Sequence, residues 1–150
     1  MLSLVVFLLV SFSAAVAGAF SPPGAWFESL NKPWFNPPGW LFGPVWTVLY
    51  ATIGVSAWWV YRAHGWSGAR VALAVWLIQM VFNAAWSPVF FGMQRPDLAL
   101  WVMGGLWLSI IGTMVSFWPL HRGAVYLLIP YLCWVSFAAC LNVALWRLNP

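Results

Sequence analysis

Polar side chains are rare within the hydrophobic stretches of this chain, and the few amides there mark candidate binding positions. Gln79, Asn83 and Trp86 are spaced so that all three share one face of a helix. Aromatic rings with a few amides to orient a guest are the usual composition of a small-molecule site. These residue types therefore indicate a site for a hydrophobic ligand.

Two further stripes have the same composition. Trp46 and Tyr50 form an i, i+4 pair, and Trp134, Ala138 and Asn142 share a face in the same way. If the three stripes converge, they enclose an aromatic cavity. The alternative for each amide is a hydrogen bond between helices, worth about 0.6 kcal/mol on average in a membrane protein. For any single amide, that structural interpretation is the better one.

Acid–base and metal chemistry are poorly supported. The only acids, Glu28 and Asp97, lie in different predicted loops, so neither a carboxylate pair nor a Ser/His/Asp set is available. His64 and His121 also fall in loops, where solvation is expected and ligation of a haem iron is the minority alternative. No metal-ligand spacing is present in the sequence. We therefore expect a binding protein rather than a hydrolase.

The composition is that of a membrane protein. Hydrophobic residues make up 64% of the chain and charged residues only 5%, whereas a soluble domain carries roughly a quarter charged residues. The net charge of +4 is too small and scattered for a nucleic-acid surface. Many of the 14 tryptophans fit interfacial belts, but Trp46, Trp86 and Trp134 share faces with polar groups and are candidates for ligand contact.

Hydropathy predicts an all-α integral membrane protein, a single domain over residues 1–150 with five transmembrane helices. The predicted spans are residues 2–20, 44–61, 71–91, 98–118 and 124–146. Short connections after the second, third and fourth spans make consecutive helices antiparallel neighbours. The first span has an Ala15-Val16-Ala17 site typical of signal peptidase, but no Lys or Arg precedes it, so we expect a retained helix.

The bases do not fix the orientation of the bundle. Three fall on each side of the five predicted spans: Arg62, Arg70 and Arg122 on the amino-terminal side, and Lys32, Arg95 and Arg147 on the other. The positive-inside rule therefore gives a tie.

The connection between the first two spans, residues 21–43, is rich in proline and tryptophan. A connection of this length with its own anchoring side chains is more often a binding loop than a linker. We expect it to act as a lid over the cavity.

Three motifs together resemble the TspO/translocator protein family, also called tryptophan-rich sensory proteins or peripheral-type benzodiazepine receptors. They are NKPWFNPPGWLFGPVW at 31–46, FNAAWSPVFFG at 82–92 and PYLCWVSFAACLN at 130–142. The resemblance extends in order over essentially the whole chain. It implies a five-helix membrane protein in contact with lipid, usually a homodimer, that binds porphyrins such as protoporphyrin IX beneath the first loop and has no obligatory cofactor.

The resemblance also assigns roles to residues at matching motif positions. Trp46 and Trp134 correspond to the tryptophans implicated in light-dependent porphyrin breakdown, the only catalysis that is implied. Together with the helical-face argument, the candidate ligand-binding residues are Trp26, Phe27, Trp34, Pro37, Trp46, Tyr50, Gln79, Asn83, Trp86, Phe90, Trp134, Ala138 and Asn142.

One departure from the family pattern bears on the ligand. Mitochondrial members carry a proposed cholesterol motif with a tyrosine near the end of the fifth helix, where this chain has Val143. Such motifs are weak indicators in any case. We therefore make no sterol assignment and expect a bacterial-type member in a bacterial membrane.

Three functions follow from these features. The first is porphyrin binding with a sensory, regulatory or scavenging role. The second is transport of porphyrins or other hydrophobic molecules, against which stand the small size and the lack of an inverted repeat. The third is a scaffold whose ligand sets its affinity for a partner protein.

Overall fold

A computed structural model describes residues 2–150, whose regular structure is entirely helical, as predicted. The helices are α1 (Leu2–Ala19), α2 (Ala25–Ser29), α3 (Phe42–Ser87), α4 (Pro96–Phe117) and α5 (Arg122–Leu148). A 3-10 turn at Gly39–Leu41 leads into α3, and a π-helical turn at Pro88–Gly92 follows it. The first, fourth and fifth predicted spans agree with α1, α4 and α5 to within two residues at each end.

Within residues 2–150, four helical segments are long and apolar enough to cross a bilayer. Three of them, α1, α4 and α5, have the length of one span. The fourth combines α3 with its flanking turns into Gly39–Gly92, 54 residues in all. A straight helix of that length would measure about 80 Å, against roughly 30 Å of hydrocarbon in a bilayer.

The chain folds back within α3, at Gly65. Its φ of 62° and ψ of −177° are not helical, and glycine adopts them far more readily than any other residue. Tyr50 and Asn83 are hydrogen-bonded at 2.9 Å across 33 residues of sequence, although a continuous helix would hold them about 50 Å apart. The two halves of α3, residues 42–64 and 66–87, therefore lie side by side.

The predicted connection at residues 62–70 is wrong in its extent. The structure keeps this segment helical on both sides of Gly65, so a single residue makes the reversal. No proline lies near Gly65 in the sequence, and none of its neighbours has a positive φ. The residues around it can therefore continue both helices almost to the point of reversal.

α1 packs closely against the first half of α3. The Ser11 hydroxyl donates to the Tyr50 carbonyl oxygen at 2.7 Å. A Cβ placed on Gly54 would lie 3.0 Å from Leu8 Cδ2, so only glycine allows this approach without a shift. On its other side α1 exposes Val5 and Leu9, as expected for a surface in contact with acyl chains.

Polar groups at the helix ends are satisfied locally. Arg95 and Asp97 form a two-point ion pair, with 2.8 Å from Nε to Oδ1 and 2.6 Å from Nη2 to Oδ2, where α4 begins. The ring of His121 accepts the Ala124 N–H at 3.1 Å and so caps α5. These contacts keep the charged residues at helix ends, where a bilayer tolerates them.

α4 packs tightly against the second half of α3 at Gly105. A Cβ added there would lie 2.5 Å from Cε1 of the Phe82 ring. A Cβ added to the neighbouring Gly104 would have no side-chain atom and no atom of a neighbouring helix within 4 Å. Small residues at helix interfaces of this kind let backbones approach and gain dispersion contacts.

Gly105→Ala should lower the midpoint of thermal unfolding in detergent by several degrees, because overpacking a well-packed contact costs about 1–3 kcal/mol. The matched control is Gly104→Ala, which adds the same methyl group in open space and gains about 0.5–1 kcal/mol of helix propensity. Its midpoint should be unchanged or slightly higher. Equal midpoints for the two variants would contradict the close packing at Gly105.

Candidate functional site

The helices enclose a cavity of about 940 Å³ beneath the first connection. Its walls come from α1, both halves of α3, α4 and α5, and the loop at residues 21–39 lies over it. Ligand sites in proteins range over roughly 300–1,000 Å³, so this space is sufficient for a large, rigid organic molecule.

Tryptophan rings form much of the cavity wall. Trp46 is stacked on Tyr50 with ring centroids 5.2 Å apart, and Trp86 is stacked on Phe90 at 4.9 Å. Trp134 meets the ring of Phe42 edge to face at 5.8 Å. Each indole is braced by a neighbouring ring, so the wall offers broad apolar faces in fixed orientations.

A line of hydrogen bonds runs behind this wall and joins α3 to α5. The Tyr50 hydroxyl donates to Asn83 Oδ1 at 2.9 Å, and Asn83 Nδ2 donates to the Tyr131 hydroxyl at 2.8 Å. Tyr131 in turn donates to Gln79 Oε1 at 2.8 Å. All four side chains are buried. Tyr50 and Asn83 also line the cavity, so the line reaches its surface.

A second amide fixes the orientation of Trp86. Its Nε1 donates to Asn142 Oδ1 at 3.1 Å, and Asn142 Nδ2 donates to the Pro96 carbonyl oxygen at 2.9 Å. The amide therefore connects α5 to the second half of α3 and to the start of α4. The indole face of Trp86 remains turned to the cavity and Phe90.

The first connection contributes apolar and charged groups above the cavity. The ring of Phe27 packs edge to face on Phe91 at 5.3 Å, and Lys32 Nζ lies 5.0 Å above the Phe27 ring. Lys32 also donates to the Glu28 carbonyl oxygen at 2.9 Å. Both Glu28 and Lys32 line the cavity, and they are its only charged residues within the part of the chain that is described.

The connection is fastened to the carboxyl-terminal end of α5. The Asn31 N–H donates to Asn149 Oδ1 at 2.9 Å, and Asn149 Nδ2 donates back to the Asn31 carbonyl oxygen at 3.0 Å. This reciprocal pair holds the backbone of the loop in place. Asn149 Nδ2 also donates to the Leu145 carbonyl oxygen at 2.8 Å, which anchors the pair to the helix.

Most of the residues expected from the sequence come together here. Ten of the thirteen line the cavity: Phe27, Pro37, Trp46, Tyr50, Asn83, Trp86, Phe90, Trp134, Ala138 and Asn142. Whether they contact a ligand stays a prediction, but the three predicted helical stripes do converge.

Three expected residues lie elsewhere. Trp26 packs against the Phe90 ring at 5.9 Å without lining the cavity, and Trp34 is 95% exposed. Gln79 is fully buried behind the wall, at the end of the hydrogen-bonded line. Its position corresponds to the structural interpretation of a buried amide, a hydrogen bond between helices.

The sequence reasoning missed two contributors. α1 supplies Phe12, Ala14, Ala15 and Gly18 to the cavity, and none of these was among the residues expected from the sequence. Tyr131 is the central member of the hydrogen-bonded line. Its spacing from Ala138 and Asn142, seven and eleven residues along α5, was the signal that would have found it.

The histidines have structural roles. His64 Nε2 lies 2.9 Å from the Leu120 carbonyl oxygen, and His121 caps α5. Neither lines the cavity. Among residues 2–150, no three His, Cys, Asp or Glu side chains are grouped so that they could hold a metal ion.

An all-helical chain of this hydropathy, with an enclosed aromatic cavity, defines a multi-pass integral membrane protein with an internal hydrophobic site. Comparison with known sequences then gives the family. Residues 3–147 match the TspO/MBR family, and the chain belongs to that family.

Individual relatives cover most of the chain. Protein CrtK of Rhodobacter capsulatus is 38% identical over 149 residues, covering 97% of this chain and 91% of that protein. The tryptophan-rich sensory protein of Cereibacter sphaeroides is 42% identical over 143 residues, covering 95% and 89%. The translocator protein of Homo sapiens is 35% identical over 126 residues, covering 83% and 75%. The resemblance inferred from the three motifs is therefore confirmed.

Tyr131→Phe should destabilise the protein, because it leaves Asn83 Nδ2 and Gln79 Oε1 buried without their partner. An orphaned buried polar group costs roughly 1–3 kcal/mol, and the loss should appear as an earlier midpoint in denaturant titration in micelles. The matched control is Tyr126→Phe, an exposed tyrosine of α5 whose ring packs on Trp118. Coincident titrations of the two variants would refute the role of the Tyr131 hydroxyl.

Proposed function

We propose that this protein binds porphyrins and similar flat hydrophobic molecules in the cavity, and that ligand binding serves a sensory or scavenging role. The observation that carries the proposal is the cavity of about 940 Å³ with three tryptophans in its wall. Few binding partners other than a large planar aromatic molecule would use so many indole faces. One relative is named a tryptophan-rich sensory protein, which agrees with this role.

The proposal includes five membrane spans. α1, α4 and α5 each supply one, and the two halves of α3 supply one each because the chain reverses at Gly65. Each half contains 22 or 23 residues, enough to cross about 30 Å of hydrocarbon at 1.5 Å per residue. The first connection is then the lid over the cavity, fastened by Asn31 and Asn149.

The bound macrocycle would lie against Trp46, Trp86 and Trp134. Stacking adds roughly 0.5–1.5 kcal/mol per aromatic pair beyond the free energy of area burial, so several indoles together favour a planar aromatic guest over a flexible chain. The two carboxylates of a protoporphyrin would face Lys32, the cation at the loop side of the cavity. Glu28 nearby disfavours a ligand with a larger negative charge.

Binding agrees better with the cavity than transport does. The charged residues that line the cavity, Glu28 and Lys32, both lie in the loop. Within the described chain, α1, α3, α4 and α5 contribute no charged side chain to the lining. Transporters that couple ion movement generally place such groups within the membrane. The printed name of the human relative, translocator protein, is the support for the alternative of transport.

Light-dependent breakdown of the ligand stays a prediction from the family resemblance. Trp46 and Trp134 both line the cavity, so a porphyrin held there would be within reach of the two indoles that this chemistry requires. A homodimer in a bacterial membrane is likewise part of the proposal and depends on the resemblance and on the bacterial relatives.

The direct test is titration of the purified protein with protoporphyrin IX in the dark. Quenching of tryptophan fluorescence is the readout. Ala138→Phe should abolish saturable quenching, because the added ring occupies the cavity that Ala138 lines. The control is Ala74→Phe, which adds the same ring to an exposed position of α3 and should bind like the parent protein. If saturable quenching survives Ala138→Phe, the ligand binds outside this cavity.

Lys32→Gln should weaken binding of protoporphyrin IX up to about fivefold, since an exposed ion pair contributes roughly 0.2–1 kcal/mol. The dimethyl ester of the same porphyrin is the matched control, because it has the macrocycle without the carboxylates. Its affinity should not change. An equal loss for acid and ester would mean that Lys32 acts through its packing on Phe27 rather than through its charge.

A further inference from the structure

Trp134 borders two separate spaces. One is the internal cavity, and the other is an open groove of about 620 Å³ on the outer surface of the bundle, between the first half of α3 and α5. Of the residues in 2–150 that line either space, Trp134 is the only one common to both. Its indole therefore separates the cavity from the outside of the helix bundle at this point.

The groove is suited to contact with hydrocarbon. Its lining includes Pro44, Val48, Pro130, Cys133 and Phe137, with no charged side chain among the residues described. It lies alongside two helices that are apolar enough to span a membrane. In a bilayer the groove therefore opens to acyl chains and to whatever apolar molecule is dissolved among them.

The indole of Trp134 is held less firmly than that of Trp86. Trp86 Nε1 donates to Asn142, whereas the buried Trp134 Nε1 has no hydrogen-bond acceptor within residues 2–150. The contacts of its ring are apolar, with Phe42 at 5.8 Å and Phe137 at 5.5 Å. Turning this side chain breaks no hydrogen bond.

The backbone beside Trp134 is also less constrained. Pro130, one turn earlier in α5, has no N–H, so the helix lacks the hydrogen bond to the carbonyl oxygen of Tyr126. Pro44 lines the other side of the groove at the start of α3. Two proline rings leave more space at this contact than two longer side chains would.

The route beneath the first connection offers less to an apolar molecule. The reciprocal Asn31–Asn149 pair ties the loop to α5 there, and Glu28 and Lys32 lie at that side of the cavity. A flat hydrophobic ligand partitions into the bilayer, because removing its surface from water is favourable at about 25 cal/mol per Å². Its concentration is therefore higher in the bilayer, where the groove opens, than in water.

We propose that flat apolar ligands enter the cavity laterally, from the hydrocarbon region of the bilayer, through the groove between α3 and α5, with Trp134 as the gate. This inference rests on the proposed binding function. It adds the path and the gating residue, and it predicts that blocking the groove changes the rate of binding but not the equilibrium.

Two natural cysteines make the test possible. Cys133 is exposed and lines the groove, whereas Cys140 is exposed on the same helix and lines neither space. Cys140→Ala leaves only Cys133, and Cys133→Ala leaves only Cys140. Each variant is incorporated into lipid nanodiscs and labelled to completion with a bulky apolar maleimide, as checked by mass spectrometry. Stopped-flow quenching of tryptophan by protoporphyrin IX then gives the association rate.

Labelling at Cys133 should lower the association rate at least tenfold while leaving the equilibrium affinity unchanged, and labelling at Cys140 should change neither. An unchanged rate with fully labelled Cys133 would overturn the lateral entrance and leave the binding function standing. Absence of saturable quenching in the unlabelled protein would overturn both.

A second variant separates the two routes independently. Asn149→Ala removes the two hydrogen bonds between its side chain and the Asn31 backbone and leaves the one from Asn31 Nδ2 to the Leu148 carbonyl oxygen at 3.4 Å. With lateral entry the association rate should equal that of the parent protein. A faster rate would mean that ligands pass beneath the loop, and the inference would be wrong.

Discussion

The line of hydrogen bonds from Tyr50 through Asn83 and Tyr131 to Gln79 is the interaction on which the rest of the structure depends. In hydrocarbon a polar side chain has no water to satisfy it, so each member must find its partner inside the protein. Apolar faces alone would let the helices slide along or rotate about one another. This line fixes both halves of α3 and the facing side of α5 in one register, and the aromatic cavity is a result of that register.

The cavity and the tight helix contacts lie at different interfaces of the bundle. Where α4 meets α3, Gly105 brings the helices so close that even a methyl group would collide with Phe82. On the side of Trp46 and Trp134, large rings fill the contact between α3 and α5 instead, Phe42 against Trp134 and Trp46 against Tyr131. Such a pattern lets a small membrane protein keep a stable bundle while leaving room for a guest, because each requirement is met at a different interface.

The sequence predicted which side chains line the cavity better than it predicted the chain path. Asn83, Trp86 and Ala138 line it because helical periodicity determines which residues share a face, and the faces with amides and indoles had to meet. The reversal at Gly65 was placed in a longer loop, since polar composition at 62–70 resembles a connection whether or not it is helical.

The contribution of α1 could not be predicted from its own residues. Whether Ala14 lines a cavity or fills an interface depends on the helices around it. That Trp34 is exposed could not be predicted either, because a motif does not reveal which way a loop side chain turns.

The single-residue reversal at Gly65 has a consequence for the outline of the molecule. At that end of the bundle the described chain offers the first residues of α1, Gly65 and the few residues between α4 and α5, whereas the other end carries the long first connection and the residues that follow α5. With the five spans proposed, most of the described chain outside the helices therefore lies on one side of the bilayer. A protease added outside sealed vesicles would find substrate on one side of the membrane and little on the other, so a single digestion would report which way the protein is inserted, something that its evenly divided basic residues do not encode.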